Sequence, residues 1–264
     1  MKIIINKEIV MNIKKVLIGF IFLAVTSLSA HEFWVDSQNN ITPSFNIGYG
    51  HDFPKLEKIA EDRVDIFEAL KITSEKKTLE LKRSSSPNYN YELNQKLENG
   101  SYILSGVYKP TYWTKDENFK WFKGKAKDEI STKATYCEKA HLEAKNIFSI
   151  GNKHSDIVTK PIGHKLEIIP LSNPKDYKVG EPFKVKVLFK NRPLKVSVVK
   201  ATLEGYLKGK YAYYGRTDLR GVTEILPLKA GKWLVKVEVE KELKDNTKCD
   251  KEINVATLTF DIKE

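Results

Sequence analysis

The sequence predicts a mainly all-β protein of two antiparallel, sandwich-like domains, and three observations carry that prediction. Short stretches alternate apolar and polar residues, as in "FKVKVLF" (183–189), the period of a strand with one face in a core. Turn-forming Gly, Pro, Asn and Asp punctuate these stretches along the chain. The two stretches of helical composition, 56–70 and 112–152, show no clean apolar stripe.

After residue 30, "HEFWVD", "PSFNIGYG", "KTLELKR", "YNYELNQKL" and "GSYILSGVYKP" read as short strands in a first domain, 31–160. Within it, 56–59 reads as a short helix or turn and 64–69 as a strand. Residues 112–152 read as a lysine-rich loop feeding a strand or helix around 134–148. The polar "GNKHSDIVTKPIG" (151–163) reads as the linker. The second domain, 161–264, holds "HKLEIIPL", "FKVKVLF", "KVSVVKATLEG", "GKYAYYGRTD", "VTEILPL", "KWLVKVEVEKE" and "INVATLTFDI". That is the strand number and size of an immunoglobulin- or transthyretin-like sandwich. "EVEKELKDNTKCDKEINV" reads as a hairpin with a polar tip.

The first thirty residues read as a secretory signal peptide. Lys14 and Lys15 precede the apolar run Val16–Leu28, which is shorter than a membrane span of ~20 residues. Ser29-Ala30 supplies small residues before a cleavage point. The mature chain is therefore expected in the periplasm and begins at His31. Residues 1–30 carry four lysines and one glutamate, so their removal lowers the formal net charge from +11 to +8. The remaining lysines are spread along strands rather than massed in a block, which excludes a nucleic-acid-binding reading. With only two cysteines, Cys137 and Cys249, an oxidising compartment favours one disulfide, with free thiols or a soft metal site as the alternatives.

All five histidines come after residue 30: His31, His51, His141, His154 and His164. Cleavage after Ala30 would give His31 a free α-amine, with a pKa of about 8, beside its imidazole. Amine and imidazole of one residue chelate one ion, a donor set suited to Ni(II), Co(II) or Cu(II). His51 and Asp52 lie in "GYGHDFP", a loop signal between glycines and a proline, where binding residues concentrate; Asp52 could equally cap the next segment of chain. His164 stands at the expected domain junction and either completes a site or occupies an exposed turn. His141 comes four residues after Cys137, a pair that a disulfide would dissolve, and His154 reads as solvated. The rings of Tyr108, Tyr112, Trp113, Phe119, Trp121 and Phe122 read as core or an inter-domain seam, with a carbohydrate or partner surface as the alternative. The chain has no G-x-S-x-G, Walker loop or H-E-x-x-H, and its acidic residues show no recognisable catalytic spacing, so no enzyme is expected.

Taken together, "HEFWV", "GHDFP", "LEIIPLSNP", "GEPFKVKVL" and "AGKWLV" resemble a family of exported bacterial proteins of unknown function (DUF4198-like). Its members are commonly described as periplasmic components of nickel or cobalt uptake. The resemblance implies a β-rich protein that handles Ni(II) or Co(II) and assists a membrane transporter subunit. The family's leading histidine falls on His31 and its Gly-His loop on His51. The metal-ligand set expected is therefore His31, His51, Asp52 and His164. Two other functions fit the same sequence: a metal-free sandwich module binding a membrane partner or glycan, and a copper enzyme built on the His31 chelate with His51 as third nitrogen.

Overall fold

In a computed structural model, which describes residues 31–38 and 44–264, the alternating stretches become strands. The expected signal peptide, 1–30, lies outside the described residues. The chain runs through β1 (Glu32–Gln38), β2 (Ser44–Gly50), β3 (Lys71–Thr73), β4 (Thr78–Glu80), β5 (Lys82–Arg83), β6 (Asn90–Glu92), β7 (Gly100–Asp116), β8 (Trp121–Lys123) and β9 (Ala134–Ile150). It continues through β10 (Leu166–Pro170), β11 (Phe183–Phe189), β12 (Arg192–Pro193), β13 (Val198–Leu203), β14 (Tyr213–Arg216), β15 (Val222–Ile225), β16 (Gly231–Glu242) and β17 (Lys251–Ile262).

These strands form three sheets. A nine-stranded sheet is ordered β14-β13-β16-β17-β9-β7-β3-β4, with β8 paired to β7. A four-stranded sheet, β1-β2-β6-β5, covers part of one face, and β10-β11-β12 with β15 covers part of the other. The chain is mainly β with antiparallel pairing, as the period-two pattern predicts, but one pair departs from it. β17 lies parallel to β9, from Lys251 opposite Glu138 to Thr259 opposite Asn146. That pair joins residues 31–160 to 161–264 in a single sheet, and His31–Glu264 form one compact unit.

Alternation along the shared strands supplies two cores from one sheet. Leu142 and Ala144 of β9 and Val255 of β17 pack with Phe33, Val35 and Phe45. Ile147 of β9 and Leu258 and Phe260 of β17 pack with Ile168, Val185 and Val187 on the opposite face. Each of the larger side chains among them, Val, Leu, Ile or Phe, contributes about 1.5–3 kcal/mol when fully buried. β1 is fastened to the large sheet by polar contacts as well. Thr257 and Thr259 hydroxyls donate to the Phe33 and Val35 carbonyls at 2.7 Å. Lys232 pairs with buried Asp36, and Lys236 lies 3.5 Å from Glu32.

Several local expectations change. Residues 61–66 form a 3-10 helix where a strand was expected from 64, and 56–59 belong to no regular element. The stretch 134–148 is strand throughout, despite its Ala, Glu and Lys, because β7 and β17 flank it on both edges. The 151–163 segment is not a free linker. Val158 enters the second core, and two carboxylates of the sheet system hold residues 162–166. Glu167 accepts from the Ile162 and Gly163 amides at 2.8 and 3.2 Å, and Glu143 accepts from those of Lys165 and Leu166, both at 2.9 Å. Lys145 reaches Glu167 at 2.9 Å, with both side chains buried. Cys137 and Cys249 are joined in a disulfide across a separation of 112 residues; the metal-site alternative for these sulfurs therefore falls away.

These contacts make two stability effects measurable. Lys145→Met strands the Glu167 carboxylate in the core and is expected to cost roughly 3–5 kcal/mol in urea denaturation. Adding Glu167→Gln removes the stranded charge and leaves one carbonyl oxygen to accept from the Ile162 amide, so it should recover part of that loss; a double variant no better than the single would refute the pairing. Cys137→Ala/Cys249→Ala should cost roughly 2–5 kcal/mol by the same measurement, since a long closed loop is released in the unfolded chain.

Candidate metal centre

The sequence places a histidine immediately before β1 and another immediately after β2. Antiparallel register then decides their separation. Glu32 pairs with Gly50, so the next positions outward are His31 and His51. Their ring centroids are 4.2 Å apart at an interplanar angle of 38°. Tyr49 stacks on His31, 4.7 Å away and tilted 14°. Burial beneath this pair holds the strand ends still. Trp34 is wholly buried and pairs across the strands with Gly48. A Cβ at Gly48 would lie 1.8 Å from the Trp34 indole, so the "GYG" run leaves room for that ring. Phe53, beyond the loop, meets Trp34 edge-on at 5.5 Å.

The electrostatic surroundings favour the neutral form of the His31 imidazole. Burial lowers its pKa below the usual 6.5, and the charges of His51 and Arg63 lower it further, while Glu57 acts in the opposite sense. A neutral imidazole offers a free lone pair at neutral pH, which is the state a metal requires. Glu57 and Arg63 were not legible as neighbours of the site. Both lie in a stretch without regular strand pairing, and only the packing of the 3-10 helix brings Arg63 over the Trp113 ring, 5.2 Å from its centroid.

The expected ligands divide into two groups. His31 and His51 come together. Asp52 comes next in the turn, where its carbonyl accepts from the Lys55 amide at 2.7 Å. Among the described residues, no three or more His, Cys, Asp or Glu side chains converge as a metal-holding group. His164 lies elsewhere, beside Lys145, Glu167 and His141, where the contacts of Glu143 and Glu167 place it on the face covered by β10. β1 packs on the opposite face, through Thr257 and Thr259. His141 lies in β9 and approaches Glu143 at 4.0 Å, and Asn254 pairs with it across the parallel ladder. The exposed His154 lies 3.5 Å from Asp176.

The sequence profile of a domain of unknown function (DUF4198) matches residues 28–241. The chain belongs to that family. No curated protein matches it. Among solved structures, the chain is similar to one titled the D0-D1 domain of Intimin, at 14% identity, over 87% of this chain and 97% of that one, with a TM-score of 0.22.

His164 gives the fold a measurable response to acid. Burial, the Lys145 charge and the nearby His141 lower its pKa to about 4, although Glu167 opposes them. The unfolded chain therefore binds a proton that the folded chain refuses, and stability falls as pH drops from about 6.5 towards about 4. Glu143, whose pKa is raised chiefly by burial, works in the opposite sense and is common to both proteins compared. Chemical denaturation across that window should give a shallower acid loss for His164→Gln than for wild type; superimposable profiles would exclude this role.

Proposed function

We propose that this protein is an exported, non-enzymatic carrier that takes up Ni(II) or Co(II) in the periplasm and passes it to a membrane transporter subunit. One observation carries the reading: the register of β1 and β2 sets His31 against His51, with ring centroids 4.2 Å apart. Two imidazoles alone are a weak site. Cleavage after Ala30 adds the α-amine of His31, so that one residue contributes two nitrogens and His51 a third. A set of nitrogen donors suits Ni(II), Co(II) and Cu(II), with Cu(II) the strongest competitor by intrinsic affinity. Glu57 supplies a nearby negative charge, and open coordination positions would let the ion leave for a transporter. Both histidines lie within the region that matches the family, residues 28–241.

The test is calorimetric titration of Ni(II) into protein beginning at His31 and into protein carrying one extra residue before it. The extra residue converts the amine to an amide and is expected to weaken binding about tenfold or more. His51→Ala in the processed protein should weaken it comparably, without a change in circular dichroism. Equal affinity in all three proteins would exclude this centre.

A further inference from the structure

The ring cluster of residues 108–122 divides in an unexpected way. Tyr108 is buried, and it accepts a hydrogen bond from the Trp113 indole. Phe119, by contrast, stands out in solvent, 73% exposed, and Trp121, which meets Tyr136 edge-on at 5.9 Å, is 40% exposed. They belong to the hairpin of β7 and β8, in which Lys115 pairs with Trp121. The turn is tightly held. Asp116 accepts from the Asn118 and Lys120 amides through one carboxylate oxygen, both at 2.9 Å, and from the Thr132 hydroxyl through the other, at 3.0 Å. At its tip Phe119 has a φ of +63°, a conformation that glycine or asparagine adopts far more readily than a bulky aromatic. An exposed phenylalanine kept in that conformation has no packing reason to be there.

Cations surround the rings. Lys115 Nζ lies 4.6 Å from the Phe119 ring centroid and 5.7 Å from that of Trp121, and Lys120 Nζ lies 5.1 Å from Phe122. Neither lysine is ion-paired among the described residues, whereas Lys123 and Lys127 have carboxylate partners in Asp65 and Asp250. Asp116 is buried and engaged by the turn, which leaves Glu117 as the one exposed acid of the tip. Aromatic rings flanked by lysines are the composition of a membrane interface. The rings enter the headgroup region while the long lysine stems carry their charges to anionic phosphates.

We infer that the β7–β8 hairpin is a docking surface for a membrane rich in anionic phospholipid. Phe119 and Trp121 enter the headgroup layer, and Lys115 and Lys120 bind its phosphates. The same strand connects this surface with the histidine pair, since His31 stacks on Tyr49, Tyr49 meets Tyr108, and Tyr108 is bonded to Trp113 opposite Lys123 of β8.

Co-sedimentation tests the inference, using vesicles of equal parts phosphatidylglycerol and phosphatidylcholine against phosphatidylcholine alone, with a chelator present throughout. The protein should sediment with the anionic vesicles only, and less at high salt. Phe119→Ser/Trp121→Ser and Lys115→Glu/Lys120→Glu should each weaken partitioning about tenfold or more, with unchanged circular dichroism. Trp121→Phe should retain most of the binding. No sedimentation with anionic vesicles, or equal sedimentation of wild type and the Phe119→Ser/Trp121→Ser variant, overturns the inference. Tip-dependent retention on peptidoglycan strands in place of vesicles also overturns it and assigns the surface to a glycan. Because metal is absent from every arm, the outcome is independent of the Ni(II) titration.

Discussion

Two strands, β9 and β17, each place alternate side chains in opposite cores, and most of the architecture depends on that constraint. A residue shifted by one position along either strand would exchange apolar for polar surface on both faces at once. Leu142 and Leu258 would then meet the wrong neighbours, and Glu143 and Lys145 would enter the core built around Phe33 and Phe45. The parallel register between the two strands is therefore specified from both sides. The disulfide at Cys137 and the hydrogen bond from the Cys137 amide to Asp250 fix it at one end, the latter at 2.8 Å.

The histidine pair inherits its geometry from this frame. β1 rests on β17 through the hydroxyls of Thr257 and Thr259, and β2 is aligned to β1 by register. The imidazoles therefore project from strand ends whose positions are set by a buried sheet rather than by a loop. Such placement limits the reorganisation that ligand binding requires. The second histidine cluster, around His141 and His164, has a different character. It lies among buried charges that hold residues 162–166 in place: the Glu143 and Glu167 carboxylates accept from backbone amides, while His141 Nδ1 is buried without a hydrogen-bond partner.

Sequence patterning revealed those parts in which one face of a strand meets a core and the other meets water. "FKVKVLF" is of this kind and became a strand within the expected limits, while "HEFWVD" became part of β1 with both of its faces buried. It was ambiguous for 134–150, because both faces of β9 are covered and charged residues such as Lys145 lie inside. Composition there resembles a helix, and the flanking strands override it. At the site, His31 and His51 could be matched because each adjoins a strand whose partner is near in sequence. His164 could not be placed, since the face of a sheet on which a turn lands depends on contacts with strands distant in sequence. The rings at Phe119 and Trp121 read as core because aromatic residues usually are, and nothing in a one-dimensional pattern reveals a turn that points them outward.

The parallel pairing of β17 with β9 also bears on how the molecule comes into being. The final strand of the chain lies in the middle of the large sheet, between β16 and β9, not at its rim. Until that strand arrives, β9 has an open edge and both cores lack a wall. Closure of the sheet therefore waits on contacts of high sequence separation, a topology associated with slow folding. The same strand also covers the β9 edge, whose unpaired N–H and C=O groups would otherwise be free to pair with another chain.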